Sequence, residues 1–427
     1  MSFRSVSKGF VCFLALLSFP IFAGLPYSWV ELGPDGAHVR VITKDKTCPT
    51  VLVDGTGKAM KQRVANPIGG FDVNVCELKV STNVKTLEIG DKSLPVPVAD
   101  PKNIVVVGDT GCRMKGDTIQ NCTGKGDGAP WRWAEVAATA AAQKPDLIIH
   151  VGDYLYREIP CPEGNKNCEG SPYGDNWATW DADFFEPVGE LLDAAPWIFT
   201  RGNHEDCTRA WKGWFLFLDP IEVTTDTFKT CPEHPDPYLV DFKDISVAVI
   251  DTSVIPHAYS NPPDQATVDI LAKQLTEVNK MVAGKKAWTA THRPYWGVST
   301  YNDNGQTKMS AVSIALRAAL DKMGGLSPNI EMALAGHIHQ FELLRFDDGR
   351  PLQVVAGASG TELDPPITPE LVKENAAIFK DLGLKPDDFV AKDNYNFMVI
   401  RPGEEIWKMT LYGYEGKVEG RYSSPRK

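Results

Sequence analysis

Leu147-Ile148-Ile149-His150-Val151-Gly152-Asp153-Tyr154-Leu155-Tyr156 is the stretch from which the fold can be worked out. Five residues, apolar except for one histidine, run without alternation and stop at a glycine, the pattern of a strand buried on both faces. An aspartate placed directly after such a strand sits where α/β proteins hold their functional groups, outside the carboxyl ends of the strands. The same pattern occurs upstream, where Ile104–Val107 leads into Gly108-Asp109-Thr110-Gly111. Working outward, strands are expected over 197–200, 245–250, Ala287–Ala290 and Ile330–Ala335, and again over 396–400 and 406–412. Between them the spacing predicts helices over 131–143, started by Pro130, and over 181–193, 264–283 and 308–323. Alternating strands and helices imply an α/β region with its helices outside the sheets.

Residues 25–100 differ in texture. Short β-like runs at 28–32, 38–43, 50–53, 71–75 and 84–89 are separated by Gly, Pro, Asn and Asp, without a helical period. They are expected to form a small N-terminal all-β domain, with 95–101 as linker and 101–427 as the second domain. Residues 357–394 are proline-rich and leave room for one short helix at most.

The first 23 residues carry Arg4 and Lys8, an apolar stretch over 10–23, and small residues at Ala23-Gly24, the layout of a secretory signal. That stretch holds Pro20 and is shorter than the ~20 residues a membrane span needs. No stable membrane anchor is therefore expected, and the mature chain would be secreted or periplasmic. A composition 43% hydrophobic and 23% charged excludes disorder, collagen and coiled coil. The net charge of −11 repels phosphate backbones and opposes a nucleic-acid partner.

Removal of Cys12 with the signal leaves eight cysteines, an even number that in an exported chain indicates disulfides. Pairing of sequence neighbours is expected: Cys48 with Cys76, Cys112 with Cys122, Cys161 with Cys168, and Cys207 with Cys231. The zinc alternative lacks any Cys-x-x-Cys spacing. Asn121-Cys122-Thr123 fits a glycosylation acceptor.

Five segments at strand ends carry metal-binding side chains. They are Gly108-Asp109-Thr110-Gly111, Gly152-Asp153-Tyr154-Leu155-Tyr156, Gly202-Asn203-His204-Glu205, Thr291-His292-Arg293-Pro294 and Gly336-His337-Ile338-His339. Each alone is an ordinary turn or cap. Their succession along one α/β chain is not, and it resembles the metallophosphoesterase (calcineurin-like) superfamily, specifically the purple acid phosphatases. That pattern runs D-x-G, G-D-x-x-Y, G-N-H-(D/E), V-x-x-H and G-H-x-H. Four blocks match fully; the fourth matches through His292 alone, because Thr289 stands where the family usually has Val. Most of the superfamily has D-x-H in the first block. Here Gly111 takes that histidine's place while Tyr156 appears in the second block, and a phenolate favours a harder, ferric ion.

The resemblance implies a four-layer α/β/β/α sandwich and two metal ions. Asp109, Asp153, Tyr156 and His339 would hold Fe(III). Asp153, Asn203, His292 and His337 would hold a divalent Fe, Zn or Mn, with Asp153 bridging. It further implies an exported hydrolase, an acid phosphatase acting on small phosphate monoesters through a metal-bound hydroxide. Phosphodiesterase or nucleotide hydrolase activity on the same site, or an inactive binding protein, remain the alternatives.

His204 would be the catalytic group, binding phosphate or donating to the leaving alkoxide, with Glu205 or Asp206 orienting it. The alternative is a structural histidine. A further substrate-facing histidine of the family falls here at Tyr301 or Asn302, so Tyr301 and His257 are substrate candidates. Arg293 would bind a substrate anion or form a surface salt bridge. His150 is expected in the core and Arg201 as a loop support. Of Trp177, Trp180, Trp211, Trp214 and Trp296, most are expected in the core.

Overall fold

The computed structural model describes residues 27–64, 68–255 and 262–426. The expected signal over 1–23 and the candidate His257 lie outside the described residues. The first of two large sheets has ten strands in the order Val418–Pro425, Ile406–Gly413, Asn396–Pro402, Ile104–Val107, Leu147–His150, Trp197–Phe199, Tyr27–Gly33, Gly36–Thr43, Asn74–Val80 and Lys61–Gln62. The second has seven: Tyr238–Asp241, Ser246–Val249, Ala287–Ala290, Ile330–Ala335, Leu352–Ala356, Phe341–Leu344 and Phe389–Lys392.

Period-two side-chain direction explains why the central strands read as continuous apolar runs. Ile104 and Val106 enter the core between the sheets, with Ile149, Val247, Met332 and Val354. Val105 and Val107 point the other way, into a cluster with Trp133, Phe184 and Trp197. Beyond the second sheet, Ala248, Ile330 and Ala333 pack on Leu271 and Leu275 of helix Gln265–Met281 and on Leu316 and Leu320 of helix Ile314–Met323. The result is the four-layer α/β/β/α sandwich, with every central strand covered on both faces.

The N-terminal strands do not stand apart from this sandwich. Tyr27–Gly33 runs parallel to Trp197–Phe199, Glu31 opposite Trp197, so the first sheet continues into the N-terminal region. This pairing satisfies main-chain groups that would otherwise be an open edge. Thr50–Val53, Thr56–Ala59, Leu87–Ile89 and Lys92–Leu94 form a separate four-stranded sheet.

Three expectations need correction. The helix expected over 308–323 starts instead as strand Gln306–Ala311, paired with Val298–Asp303 around Asn304-Gly305, and is helical only over Ile314–Met323. Asn304 and Gly305 have φ of 49° and 79°, the left-handed pair that closes a two-residue hairpin, and Ser313 at φ 59° breaks strand from helix. The helix over 181–193 is broken at Gly189, whose φ of 51° separates a wide turn, Asp181–Phe185, continued by Glu186–Val188, from a tight one, Gly189–Asp193. Residues 357–394 hold two short helices, Pro369–Glu374 and Ala376–Asp381.

Four disulfides join Cys48–Cys76, Cys112–Cys122, Cys161–Cys168 and Cys207–Cys231, the neighbour pairs. They point to an extracellular or otherwise oxidising compartment. Among the described residues no helix is long and apolar enough to cross a membrane. The Asn121 side chain is folded into its loop, Nδ2 donating to Gly126 O at 2.9 Å and Oδ1 accepting from Gly126 N at 3.1 Å.

Candidate metal centre and active site

The five blocks converge at the carboxyl ends of the strands. Asp109, Asp153 and His337 turn there with φ of 56°, 63° and 74°. Such left-handed conformations cost about 1–3 kcal/mol each and persist only where neighbours over-determine them. Main-chain bonds between blocks do so: Asp109 N to Gly152 O at 2.9 Å, Thr110 N to Asp153 O at 3.0 Å, and Gly336 N to His292 O at 2.9 Å. Two buried carboxylates add staples. Asp183 accepts from Cys112 N at 3.0 Å and Tyr156 N at 2.8 Å, tying the first block to the second. Glu205 accepts from Tyr154 N at 2.9 Å, Leu155 N at 3.1 Å and Gly202 N at 3.2 Å, tying the second to the third.

Gly111 and Tyr156 share one space. A β-carbon at Gly111 would stand 2.5 Å from Tyr154 O and 2.9 Å from the Tyr156 ring, so no imidazole fits there. The phenol reaches into the centre in its stead. Its oxygen lies 2.9 Å from Asp109 Oδ1, 2.9 Å from Asp153 Oδ2 and 3.1 Å from His339 Nε2. On the other side, His292 Nε2 is 3.1 Å from Asp153 Oδ2 and 3.1 Å from Asn203 Oδ1. Asp153 Oδ2 thus faces Tyr156 and His292 at once. Ligand atoms of Asp153, His292 and His337 fall within 4.8 Å of one another.

This donor set fits cations. One hydroxyl proton cannot serve two carboxylates, which leaves a buried pair short of positive charge. Burial and the neighbouring Asp153 push Asp109 well above the ordinary carboxylate range. Burial also raises Asp153, but His292 and His204 outweigh it and hold that partner well below. Burial, Asp109 and Asp153 push the Tyr156 phenol well up. His292 Nδ1 faces Val151 O at 2.9 Å and His339 Nδ1 faces Glu362 O at 2.9 Å. Carbonyls only accept, so both rings carry a proton on Nδ1 and leave Nε2 as the atom facing the centre, the nitrogen that would bind a metal. Burial, followed by Arg293 for His337 and Arg113 for His339, keeps these two imidazoles well below their usual value and hence neutral.

His204 stacks on Tyr156 with ring centroids 3.8 Å apart, and its Nε2 is 3.9 Å from Asp153 Oδ2. The partner of its Nδ1 is neither Glu205, which is spent on the loop, nor Asp206, but Glu158, whose Oε1 stands 2.7 Å away. Arg293 is buried rather than on the surface, and its Nη1 donates to His337 Nε2 at 2.7 Å. Tyr301 is 43% exposed on the hairpin strand Val298–Asp303, opposite Lys308. His150 is a core residue, stacked on Tyr154 and bonded to Thr110 Oγ1 at 3.1 Å. Arg201 supports its loop through Glu205 O at 2.8 Å and Pro232 O at 2.8 Å. Trp177, Trp180, Trp214 and Trp296 are buried.

Sequence reasoning missed Glu158 and the carbonyls behind the histidines. Glu158 lies only two residues beyond Tyr156, so an acid close to a ligand block was the available signal. Nothing in the sequence marks Val151 O or Glu362 O.

A search of curated proteins gives no match. Among solved structures, that of PhoD is 11% identical, covering 96% of this chain and 90% of that one with a TM-score of 0.53. GAP50, the anchor in the inner membrane complex of Plasmodium, is 13% identical over 77% of this chain and 89% of its own, with a TM-score of 0.46. At these identities the likeness to PhoD is one of fold. The family model for calcineurin-like phosphoesterases matches residues 102–341, more than half of the chain and the span that holds all five blocks. The fold implies divalent metal ions and is consistent with small phosphoester substrates, and the chain belongs to the calcineurin-like phosphoesterase family.

Proposed function

We propose that this protein is an exported acid phosphatase of the purple type, hydrolysing phosphate monoesters at a binuclear centre. One observation carries the reading: the Tyr156 oxygen stands 2.9 Å from both Asp109 and Asp153, in space that leaves no room for a side chain at position 111. Asp109, Asp153, Tyr156 and His339 would hold the ferric ion. Asp153, Asn203, His292 and His337 would hold the divalent Fe, Zn or Mn. When bound, two such ions would supply positive charge to the phosphoryl oxygens and acidify the attacking water.

The remaining chemistry belongs to the chain. With Glu158 taking the proton side of Nδ1, His204 presents Nε2 to the substrate and can give a proton to the departing oxygen. Arg293 holds His337 by its Nε2 face and adds a fixed positive charge beside the centre. Asp183 and Glu205 keep the ligand loops in register, so little reorganisation accompanies the reaction.

Elemental analysis and an absorption spectrum of purified protein test the assignment, together with rates on 4-nitrophenyl phosphate and bis(4-nitrophenyl) phosphate. The reading expects one iron, a visible charge-transfer band and preference for the monoester at acidic pH. Faster cleavage of the diester would make the chain a phosphodiesterase. Absence of iron after loading would remove the purple-type assignment.

A further inference from the structure

The disulfide Cys207–Cys231 differs from the other three in what faces its sulfurs. Arg201, buried just beyond strand Trp197–Phe199, aims its guanidinium at both: Nη2 is 3.3 Å from Cys231 Sγ and 3.5 Å from Cys207 Sγ. Its other nitrogens are taken up elsewhere, Nε by Glu205 O at 2.8 Å, and Nη1 by Pro232 O at 2.8 Å and Asp251 Oδ2 at 3.3 Å. Among the described residues Nη2 has only the two sulfurs, which are weak acceptors. Also among the described residues, no other disulfide has a cationic side chain in hydrogen-bond contact with its sulfurs.

A cystine makes poor use of a buried guanidinium, whereas a thiolate would be its counter-ion. A cation beside a cysteine lowers the thiol pKa, and a lower pKa makes that sulfur a better leaving group. Asp251 and Asp219, which share a small cavity with Arg201, are the carboxylates that oppose this effect, and Asp251 meets Nη1 rather than Nη2. The two sulfurs are not equally open: Cys207 is half-buried and Cys231 buried. Cys231 also holds φ 43° and ψ 97°, a conformation that a residue with a β-carbon keeps only under constraint.

We propose that Cys207–Cys231 is a redox-active disulfide, opened by a dithiol reductant, and that opening it loosens the loop that supports His204. One thiolate of the reductant attacks Cys207 Sγ, the S–S bond breaks, and Cys231 departs as a thiolate beside Arg201. The reductant's second thiol then displaces Cys207, so the reductant leaves as a disulfide and the protein gains two electrons and two protons. The loop closed by this bond carries Arg209, whose Nη1 is 3.3 Å from Oε1 of Glu158, the partner of His204. It also carries Ala210, whose N donates to His204 O at 3.1 Å. The consequence for turnover rests on the phosphatase reading above; the reducibility of the bond does not.

Differential alkylation with mass spectrometry, after equilibration of the native metal-loaded protein in graded dithiothreitol, reads each disulfide separately. Cys207–Cys231 is expected to open at about tenfold less reductant than the other three, the factor that corresponds to a thiol pKa lowered by about one unit. In Cys207→Ser the remaining Cys231 thiol should ionise about one unit or more below the ordinary value of about 8.5, read from ultraviolet thiolate absorbance against Cys207→Ser/Cys231→Ser. Arg201→Met in that background should remove the shift. Opening of Cys207–Cys231 together with or after the others, or an ordinary Cys231 thiol, would overturn the proposal. On 4-nitrophenyl phosphate, Cys207→Ser/Cys231→Ser should keep its metals, lose about tenfold in kcat without any reductant, and ignore dithiothreitol. A wild-type rate in that variant would overturn the coupling to His204. If the wild type itself cleaves nothing, the phosphatase reading fails, and the alkylation and absorbance measurements still decide the disulfide.

Discussion

Glu158 Oε1 stands 2.7 Å from Nδ1 of His204, while the imidazole ring lies against the Tyr156 phenol. Burial works to raise the Glu158 pKa, but His204, then Lys115 and Arg209, hold it down at about 2. The same pair viewed from His204 gives the opposite balance: burial pulls the imidazole below its usual value despite Asp153 and Glu158. At 2.7 Å from the ring, Glu158 is the ionised partner of the pair. An ionised Glu158 beside Nδ1 favours a proton on that side of the ring, so in the proposed reaction Nε2 would be the atom that exchanges a proton with substrate.

Glu158→Gln is therefore expected to leave metal content intact and lower kcat by about 10-fold to 100-fold, the usual effect of losing the group that orients a functional imidazole. The pH–rate profile should shift along with it. A structural role alone would move unfolding temperature and leave the profile in place. His204→Ala should keep both metals and lose about 100-fold or more in rate.

Acid unfolding provides a separate measurement. A carboxylate depressed from 4.5 to about 2 contributes stability that is complete above the unfolded value and is lost as pH falls through the folded one. Thermal unfolding of wild type between pH 4.5 and 2 should show this loss, and Glu158→Gln should flatten that limb. An unchanged limb in the variant would show that the pairing is absent in solution.

Asp153→Ala removes a carboxylate oxygen that faces both Tyr156 and His292. Metal content by mass spectrometry and activity should disappear together. Retention of two metals would contradict a bridging role.

Tyr156→Phe should abolish any visible charge-transfer band. It should also reduce the protons released on metal loading by about one, because the phenol is held protonated by burial and the two carboxylates until a cation displaces its proton. A coloured variant would exclude the ferric tyrosinate.

Gly111→Ala tests the shared space directly. Its β-carbon would meet Tyr154 O at 2.5 Å and Tyr156 N at 2.8 Å, and backbone atoms cannot swing aside as a side chain does. A loss of about 1–3 kcal/mol in urea unfolding is expected, with metal content falling as the loop shifts. Wild-type stability and metal content would show that the position tolerates a side chain.

The strand, the glycine turn and the polar residue that follows it are contiguous, so the convergence of Asp109, Asp153, Asn203, His292, His337 and His339 at one end of the sheets was legible as a set. So was Tyr156, whose reading depended on pairing it with Gly111. Burial on both faces writes itself into unbroken apolar runs, which gave the α/β class; the four-layer arrangement was implied by the family resemblance alone. The strand Gln306–Ala311 was signalled by Asn304-Gly305 and hidden by an alanine-rich continuation that suits a helix. Glu158 opposite His204, with Lys115 and Arg209 against it, and the carbonyls behind His292 and His339 had no such signature. Each depends on the register with which separate loops are bonded together, as Met114 is to Tyr156, and a local pattern carries no record of a distant hydrogen bond. The join between Tyr27–Gly33 and Trp197–Phe199 is of the same kind: either strand would fit an independent sheet, and packing alone chose the shared one.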